Sequence, residues 1–109
     1  MLTVIEQWFL RPEVADRGLE IMQEMDDLVG PPAHADPAWS GHAHFYRSQA
    51  APNQFMMIYP WRSIEEHQQL RANEEPMLVD FYKKYCTAER IISYFDELAV
   101  DVEHDDHVH

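Results

Sequence analysis

Histidine and tyrosine alternate along one stretch of the chain, at His42, His44 and Tyr46, and another histidine, His67, follows further on. Alternate residues of a strand share one face and lie about 7 Å apart, so the first three could act together. A histidine with a pKa near neutrality can remove a proton from a carbon or phenol group of a bound molecule. We therefore predict His44 and His67 as candidate catalytic bases, against the alternative of ordinary hydrogen-bonded histidines.

A metal site is the weaker interpretation of the same histidines. His42 and His44 have the spacing of a ligating pair, but the sequence offers no third ligand at a matching spacing. The acidic tail, residues 101–109, contains three histidines and could bind a divalent ion weakly, although a solvated tail is the simpler interpretation. There is also no glycine-rich phosphate loop and no flavin or nicotinamide fingerprint. We predict neither a metal nor a cofactor.

Aromatic side chains could form the walls of a site for a flat ligand. Pockets for small molecules are mostly apolar and contain a few polar anchors. Trp61 stands where a strand is expected to meet a helix, so we predict its indole ring as the main wall. The alternative is that the aromatic residues are packed in the core. Further predicted substrate-binding residues are Trp8, His42, Tyr46, Tyr59 and Tyr82.

Length and composition limit the classes of protein to consider. The 109 residues suffice for one domain, predicted to span residues 1–100, and are too few for two. The net charge of −12 argues against nucleic acid or an anionic membrane as partner, because phosphate binding needs a basic surface. The single cysteine, Cys86, permits no internal disulfide. With no secretory signal or long apolar run, we expect a cytoplasmic protein.

Hydrophobic periodicity predicts four strands and two helices. The strands are expected at residues 3–10, 41–48, 54–59 and 90–98. One helix is expected from Pro12 to Gly30, and a second from Ser63, where the sequence SIEE forms a capping box.

Prolines are expected to interrupt three of these elements, because proline lacks the backbone donor that both helices and sheets use. The predicted interruptions are at Pro31 and Pro32, after the first helix; at Pro60, after the third strand; and at residues 73–76, within the second helix.

The order strand, helix, strand, strand, helix, strand predicts a ferredoxin-like α+β fold, βαββαβ, with a four-stranded antiparallel sheet and both helices on one face. Two helices cover only one face of the sheet. In the segment QFMMIYPW both alternating sets of residues are apolar, so the other face would expose a large apolar patch. A second copy of the chain is the simplest cover. We therefore predict a homodimer through the sheet faces, a dimeric α+β barrel.

Three segments in this order, VIEQWFLRPE, FMMIYPWRSIEEHQQL and NEEPML, resemble the antibiotic biosynthesis monooxygenase family of the dimeric α+β barrel superfamily. The resemblance covers residues 2–100 and implies the same fold and dimer. Its members include oxygenases of polyketide pathways that use no metal or flavin, as well as haem-degrading enzymes. The chain also resembles small proteins of pigment pathways such as prodigiosin biosynthesis.

Two branches of the family can be compared residue by residue. In the anthrone-oxygenase branch an Asn precedes a strand-end Trp by four positions; Trp61 matches the Trp, but Met57 replaces the Asn. In the haem-degrading branch a His follows the Trp by about three helical turns, where this chain has the segment 70–72, Leu-Arg-Ala. Haem degradation is therefore not expected.

The resemblance implies a tailoring enzyme of secondary metabolism, a cofactor-independent monooxygenase acting on an aromatic or pyrrolic intermediate. In that interpretation the ligand stacks on Trp61 between sheet and helices, and His44 or His67 removes a proton so that the anion reacts with dioxygen. The alternative is a binding protein that shields or delivers a reactive intermediate without chemistry, which Met57 in place of the Asn favours.

Overall fold

A computed structural model describes residues 1–103 of the chain. The remaining segment, 104–109, holds the histidines of the tail, so the possible weak metal site lies outside the described residues. The elements, in chain order, are strand β1 (Leu2–Phe9), a 3-10 helix (Pro12–Arg17), helix α1 (Gly18–Ala35), strands β2 (His44–Arg47) and β3 (Gln54–Trp61), helix α2 (Ile64–Tyr85) and strand β4 (Ile91–Asp96).

The four strands form one antiparallel sheet in the order β2-β3-β1-β4. The register pairs Val4 of β1 with Tyr59 of β3 on one side and with Tyr94 of β4 on the other. With two helices between the strands, this is the predicted ferredoxin-like fold, which is confirmed.

One face of the sheet packs against the helices and forms the core. Alternate residues of β1 and β3 supply this face, and helix residues at three- and four-residue spacing cover it. Its strand residues are Leu2, Val4, Glu6, Trp8, Phe55, Met57, Tyr59 and Trp61, all buried. Glu6 is the one charged member of this set.

The opposite face of the sheet, called the open face below, carries large apolar side chains that are about half exposed. Tyr46, Ile91 and Phe95 each keep 50–54% of their surface accessible. They share this face with Ile5 and Ile58, according to the register. The predicted second copy would cover them, and the homodimer stays a prediction.

The predicted stop of the first helix was wrong. Helix α1 continues through Gly30, Pro31 and Pro32 to Ala35. The prolines remove donors for carbonyls one turn earlier, those of Asp27 and Leu28, and both prolines lie on the exposed side of the helix. Water can bind the freed carbonyls there, so the helix does not have to end.

The other two predicted interruptions were also wrong, for related reasons. Helix α2 passes through Pro76, whose side chain is exposed, while Leu70, Glu74 and Leu78 hold the opposite face against the core. Strand β3 includes Pro60 because β2 pairs only with residues 55–58. The amide of Arg62, two residues later and directed to the same side, donates to Ala38 outside β2, so the missing N–H of Pro60 lies beyond the end of β2.

The start of α2 follows the predicted cap in part. The Ser63 hydroxyl accepts a hydrogen bond from the Glu66 amide at 3.2 Å, as expected. The Glu66 carboxylate does not return to the Ser63 amide; it accepts from the Ser63 hydroxyl at 2.9 Å and pairs with Arg62. The cap thus shares its carboxylate with a surface ion pair.

Gly18 begins α1 in direct contact with the sheet, and we expect Gly18→Ala to destabilise the protein. A methyl group there would overlap the Phe55 ring, lying 2.7 Å from Cε2, and would come within 2.8 Å of Arg47 Nη2. Such overpacking costs about 1–3 kcal/mol, which exceeds the gain of up to about 1 kcal/mol in helix propensity. Urea unfolding measures the loss. Adding Phe55→Leu should cost less in the Gly18→Ala background than in the wild type; additive losses would contradict the clash.

Candidate active site

A cavity lies between the covered face of the sheet and the two helices. Its wall contains aromatic residues, Trp39, Tyr59 and Trp61, and two buried acidic residues, Glu6 and Glu74. The cavity has about 450 Å³ of empty space and opens partly to solvent. The centre of a water molecule fits within only about 40 Å³ of that space. The cavity as it stands therefore takes a few waters, and a larger ligand requires side chains of the wall to move.

Trp61, at the end of β3, lines this cavity and carries a buried hydrogen-bond donor. The side chain is 1% exposed, and its ring meets Tyr59 and His67 edge-to-face at 6.0 and 5.8 Å. Its Nε1–H has no hydrogen-bond partner among the described residues. A buried donor without a partner costs about 1–3 kcal/mol, so an acceptor atom in the cavity would be favourable.

Glu74, on the inner face of α2, is a residue of the wall whose acidity is shifted towards neutral pH. It is 4% exposed, and burial raises its pKa to about 7, an effect that Glu6 reinforces and Arg90 opposes. Its Oε1 lies 3.1 Å from Arg90 Nη1, yet not at an angle that makes a hydrogen bond. A carboxyl group with a pKa near the working pH can both take and give a proton.

Arg90 holds the acidic residues together beneath the cavity. Its guanidinium is nearly inaccessible and donates to Glu6 Oε1 at 3.0 Å and to Glu75 Oε2 at 3.4 Å. It also lies over the Trp8 ring, 5.6 Å from the centroid. Burial alone would lower the pKa of Arg90, but the three carboxylates outweigh it and raise the pKa. Arg90 is therefore a permanent cation among three carboxyl groups.

His67 belongs to a line of hydrogen bonds behind the wall. Its Nε2 lies 2.6 Å from the Tyr59 hydroxyl and its Nδ1 lies 2.8 Å from the Tyr94 hydroxyl. The Tyr59 hydroxyl in turn donates to Glu6 Oε2 at 2.5 Å. Burial lowers the pKa of His67 to about 4, with Glu6 opposing and Arg90 adding to the shift, so the ring is neutral at pH 7.

The structure brings three of the predicted residues together. Trp61 and Tyr59 line the cavity, and His67 packs against both from behind. His67 reaches the cavity only through the Tyr59 hydroxyl. Trp8 and Tyr82 stack on each other at 5.8 Å outside the wall.

The prediction that His44 and Tyr46 face the ligand was wrong. They pair with Ile58 and Met56, so both side chains lie on the open face, across the sheet from the cavity. His42 precedes β2 instead of lying in it, and it is exposed. Its ring meets Trp39 edge-to-face at 5.1 Å, beside the cavity wall. The three residues therefore do not share one face, and His44 cannot serve as a base between sheet and helices.

Sequence reasoning missed Glu6, Glu74 and Arg90. Two of them carried a visible signal: Glu6 interrupts the apolar alternation of β1, and Glu74 stands midway between Leu70 and Leu78 on the inner stripe of α2. A carboxyl group on an apolar face is expected to have a buried partner. Nothing in the sequence identifies Arg90 as that partner.

Within residues 1–103, no three His, Cys, Asp or Glu side chains are grouped so that they could hold a metal ion. In the same part of the chain, no helix combines the length and the apolar character needed to cross a membrane.

Comparison with known proteins assigns the architecture. No family model and no curated protein matches the sequence. A crystal structure of an antibiotic biosynthesis monooxygenase is 21% identical and has a TM-score of 0.65, with 90% of this chain and 99% of that chain covered. A putative antibiotic biosynthesis monooxygenase from Nitrosomonas europaea has the same TM-score and coverage at 11% identity. SnoaB from Streptomyces nogalater, described as a cofactor-independent oxygenase, has a TM-score of 0.63 at 10% identity, with 94% and 97% covered.

The likeness establishes the fold. At these identities the chemistry of this chain has to be argued from its own cavity.

Proposed function

We propose that the protein is a small-molecule tailoring enzyme of secondary metabolism, a monooxygenase that needs no cofactor and acts on an aromatic or pyrrolic intermediate. The observation that carries this proposal is a carboxyl group with a pKa of about 7, Glu74, in the wall of an aromatic cavity. The same wall includes Trp61, whose buried N–H has no hydrogen-bond partner within residues 1–103. A donor for the ligand's oxygen and an acceptor for its proton are the two groups that such a reaction requires.

In this mechanism Trp61 Nε1–H donates to a carbonyl or phenolic oxygen of the ligand. Glu74, in its carboxylate form, takes a proton from an acidic C–H beside that oxygen. The resulting delocalised anion gives an electron to dioxygen, and the ligand radical and superoxide combine into a peroxide anion. Glu74 then returns its proton to this peroxide. Loss of water then leaves a carbonyl group, so that CH₂ and O₂ become C=O and H₂O. The protein supplies orientation, exclusion of water and management of the proton.

A ligand with fused rings needs more room than the cavity now offers. The segment between α1 and β2 contributes Trp39 to the wall, and this side chain is half-buried. We propose that the side chain of Trp39 turns outward to admit the ligand, while its backbone stays paired with Trp61 in a single β-bridge. The buried Trp61 then remains as the fixed surface on which the ligand stacks.

Oxygen uptake with 1,8-dihydroxyanthrone as probe tests the proposal. We expect the protein to consume one dioxygen per probe molecule faster than the uncatalysed reaction and to form the quinone. Trp61→Phe keeps a flat ring but removes the N–H, so it should lower the rate by roughly tenfold or more. Tyr85→Phe, whose hydroxyl binds Glu24 away from the cavity, is the matched control and should leave the rate unchanged. Equal rates in Trp61→Phe and the wild type would contradict the assigned donor.

A second candidate is a protein that binds a reactive intermediate and performs no chemistry. It is favoured by Met57, which places an apolar group in the cavity wall where the anthrone-oxygenase branch has an amide. Tight binding of the probe without oxygen uptake or product would support this second function and exclude the first.

We also propose that the protein is a homodimer in the cytoplasm, with secondary metabolism, including pigment pathways of the prodigiosin type, as its setting. The half-exposed Tyr46, Ile91 and Phe95 of the open face support the dimer, since a second sheet would bury all three. Multi-angle light scattering at micromolar concentration should give twice the 12.9 kDa mass of the chain. A stable monomer would contradict the dimer.

A further inference from the structure

Four side chains connect the edge of the sheet to the cavity by hydrogen bonds. Tyr94 is on the edge strand β4, His67 on α2, Tyr59 on β3 and Glu6 on the central strand β1. The three successive distances are 2.8 Å, 2.6 Å and 2.5 Å. Tyr94 is half-buried, whereas the other three are at most 6% exposed, and Glu6 and Tyr59 line the cavity. The line therefore runs from a partly accessible tyrosine to the wall of the candidate site.

The hydrogen-bond partners, together with a neutral His67, give each hydrogen bond in this line a direction. Glu6 Oε1 accepts from the Trp8 indole at 3.1 Å and from Arg90 at 3.0 Å, and its Oε2 accepts the single hydroxyl proton of Tyr59. The Tyr59 oxygen can then only accept from His67, so His67 carries its proton on Nε2. Its Nδ1 has no proton and accepts from the Tyr94 hydroxyl. All donors point inward, from Tyr94 to Glu6.

We propose that Tyr94, His67, Tyr59 and Glu6 form a proton relay between solvent at the edge of the sheet and the cavity. A merely structural cluster would need no continuous order of donors from one end to the other. It would also gain nothing from a neutral histidine at its centre, with one nitrogen protonated and one bare. Burial keeps His67 in that neutral form at pH 7 by lowering its pKa.

When the relay operates once, one proton crosses each hydrogen bond of the line, and charge is conserved. Tyr59 gives its proton to Glu6, His67 gives its Nε2 proton to Tyr59, Tyr94 gives its proton to Nδ1, and water replaces the proton of Tyr94. Glu6 then holds one additional proton, available to a ligand in the cavity. Return of that proton through the same line restores the Nε2–H form of His67. Oxygenation of CH₂ to C=O with release of water is neutral in protons overall, so it would use the relay once in each direction.

The relay goes beyond the proposed function and can be tested without a substrate. Its use in oxygenation depends on that function, but the connection itself depends only on the four side chains. Failure of the oxygen-uptake test would leave the relay untouched, and failure of the exchange test below would leave the assignments of Trp61 and Glu74 untouched.

NMR of the ¹⁵N-labelled full chain tests the relay in two steps. First, the ring nitrogen shifts of His67 at pH 7 should show a neutral ring protonated at Nε2; protonation at Nδ1 would overturn the proposal. Second, the short bonds should place the His67 Nε2–H and Tyr59 O–H protons at low field, where their exchange with water can be measured.

Tyr94→Phe gives opposite outcomes for a relay and for a structural cluster. If protons enter through Tyr94, losing its hydroxyl should slow exchange of the two inner protons roughly tenfold or more. If the cluster is only structural, exchange requires local opening, and loss of a hydrogen bond should leave it unchanged or make it faster. Tyr82→Phe removes another half-buried tyrosine hydroxyl, one bonded to Glu75 outside the line, and should not slow exchange. Unchanged or faster exchange in Tyr94→Phe would overturn the relay.

Discussion

Arg90→Met is expected to lower the free energy of unfolding by about 3–5 kcal/mol at pH 7, because it leaves Glu6 and Glu74 buried without a compensating cation. Both carboxyl groups are at most 4% exposed, and Arg90 lies 3.0 and 3.1 Å from them. Methionine has a similar length and an apolar surface, so the loss reflects charge more than volume. Urea unfolding followed by circular dichroism measures it.

The control for this variant is Arg71→Met, because Arg71, on α2, also pairs with Glu75. Arg71 is 42% exposed and forms a single helical-turn pair with Glu75, so its loss should cost less than about 1 kcal/mol. The loss of stability caused by Arg90→Met should also be smaller at pH 5, because Glu74 has a pKa of about 7 and is protonated there. An Arg90 variant no less stable than the Arg71 variant would show that the buried carboxyl groups do not need the cation.

Glu74→Gln is expected to make the protein more stable at pH 8 and to abolish most of its proposed activity. The pKa of Glu74 is raised from 4.5 in the unfolded chain to about 7 in the folded protein, mainly by burial. The folded state thus favours the protonated carboxyl, and this contribution to stability is present below pH 4.5 and is lost as the pH rises through 7. Glutamine stays neutral at every pH, so the variant should gain up to about 3 kcal/mol at pH 8 and little at pH 5.

Comparing Glu74→Gln with the wild type separates the effect of Glu74 on the pH dependence of stability from that of His67. The two residues change stability with pH in opposite directions. The pKa of His67 falls from 6.5 to about 4 on folding, so stability decreases as the pH drops through that range, and it does so in both proteins. Urea unfolding at pH 5 and pH 8 gives the difference between variants. Glu65→Gln, an exposed position on the same helix, should change stability by less than about 0.5 kcal/mol at either pH.

Oxygen uptake by the same Glu74→Gln variant connects stability with function. Loss of the base should slow turnover of the anthrone probe by about 10²-fold or more, although the variant is the more stable protein at pH 8. A group that costs stability in its ionised form is typical of functional sites. Full activity in Glu74→Gln would remove Glu74 from the mechanism, whatever its effect on unfolding.

The errors made with proline and with the histidines have one physical origin. Whether Pro31, Pro60 or Pro76 ends an element depends on where its missing donor faces, and that direction is set by the neighbouring strand or by solvent. Likewise, His44 lies on the open face because it pairs with Ile58. Alternation in β2 shows that two faces exist, but only the register with β3 decides which of them meets the helices.

The buried charged residues could be predicted from local sequence patterns even less well. Glu6, Glu74 and Arg90 come from β1, α2 and the residue before β4, and Glu6 and Arg90 are 84 positions apart in the chain. In the local sequence each of them is only a polar residue within or beside an apolar segment. Burial and the nearby Glu6 raise the pKa of Glu74 while Arg90 opposes the shift, so the pKa of about 7 is a balance that exists only in the folded chain.

Spacing along the chain is enough to predict the order of the elements, the cap at Ser63, the inward position of His67 and the apolar character of both sheet faces. The side chains that share the cavity, the carboxyl group with a pKa near neutrality and the hydrogen-bond partners in the Tyr94–His67–Tyr59–Glu6 line follow only from the folded arrangement. Those properties arise from strand register, burial and hydrogen-bond partners supplied by distant segments, and no local pattern encodes them.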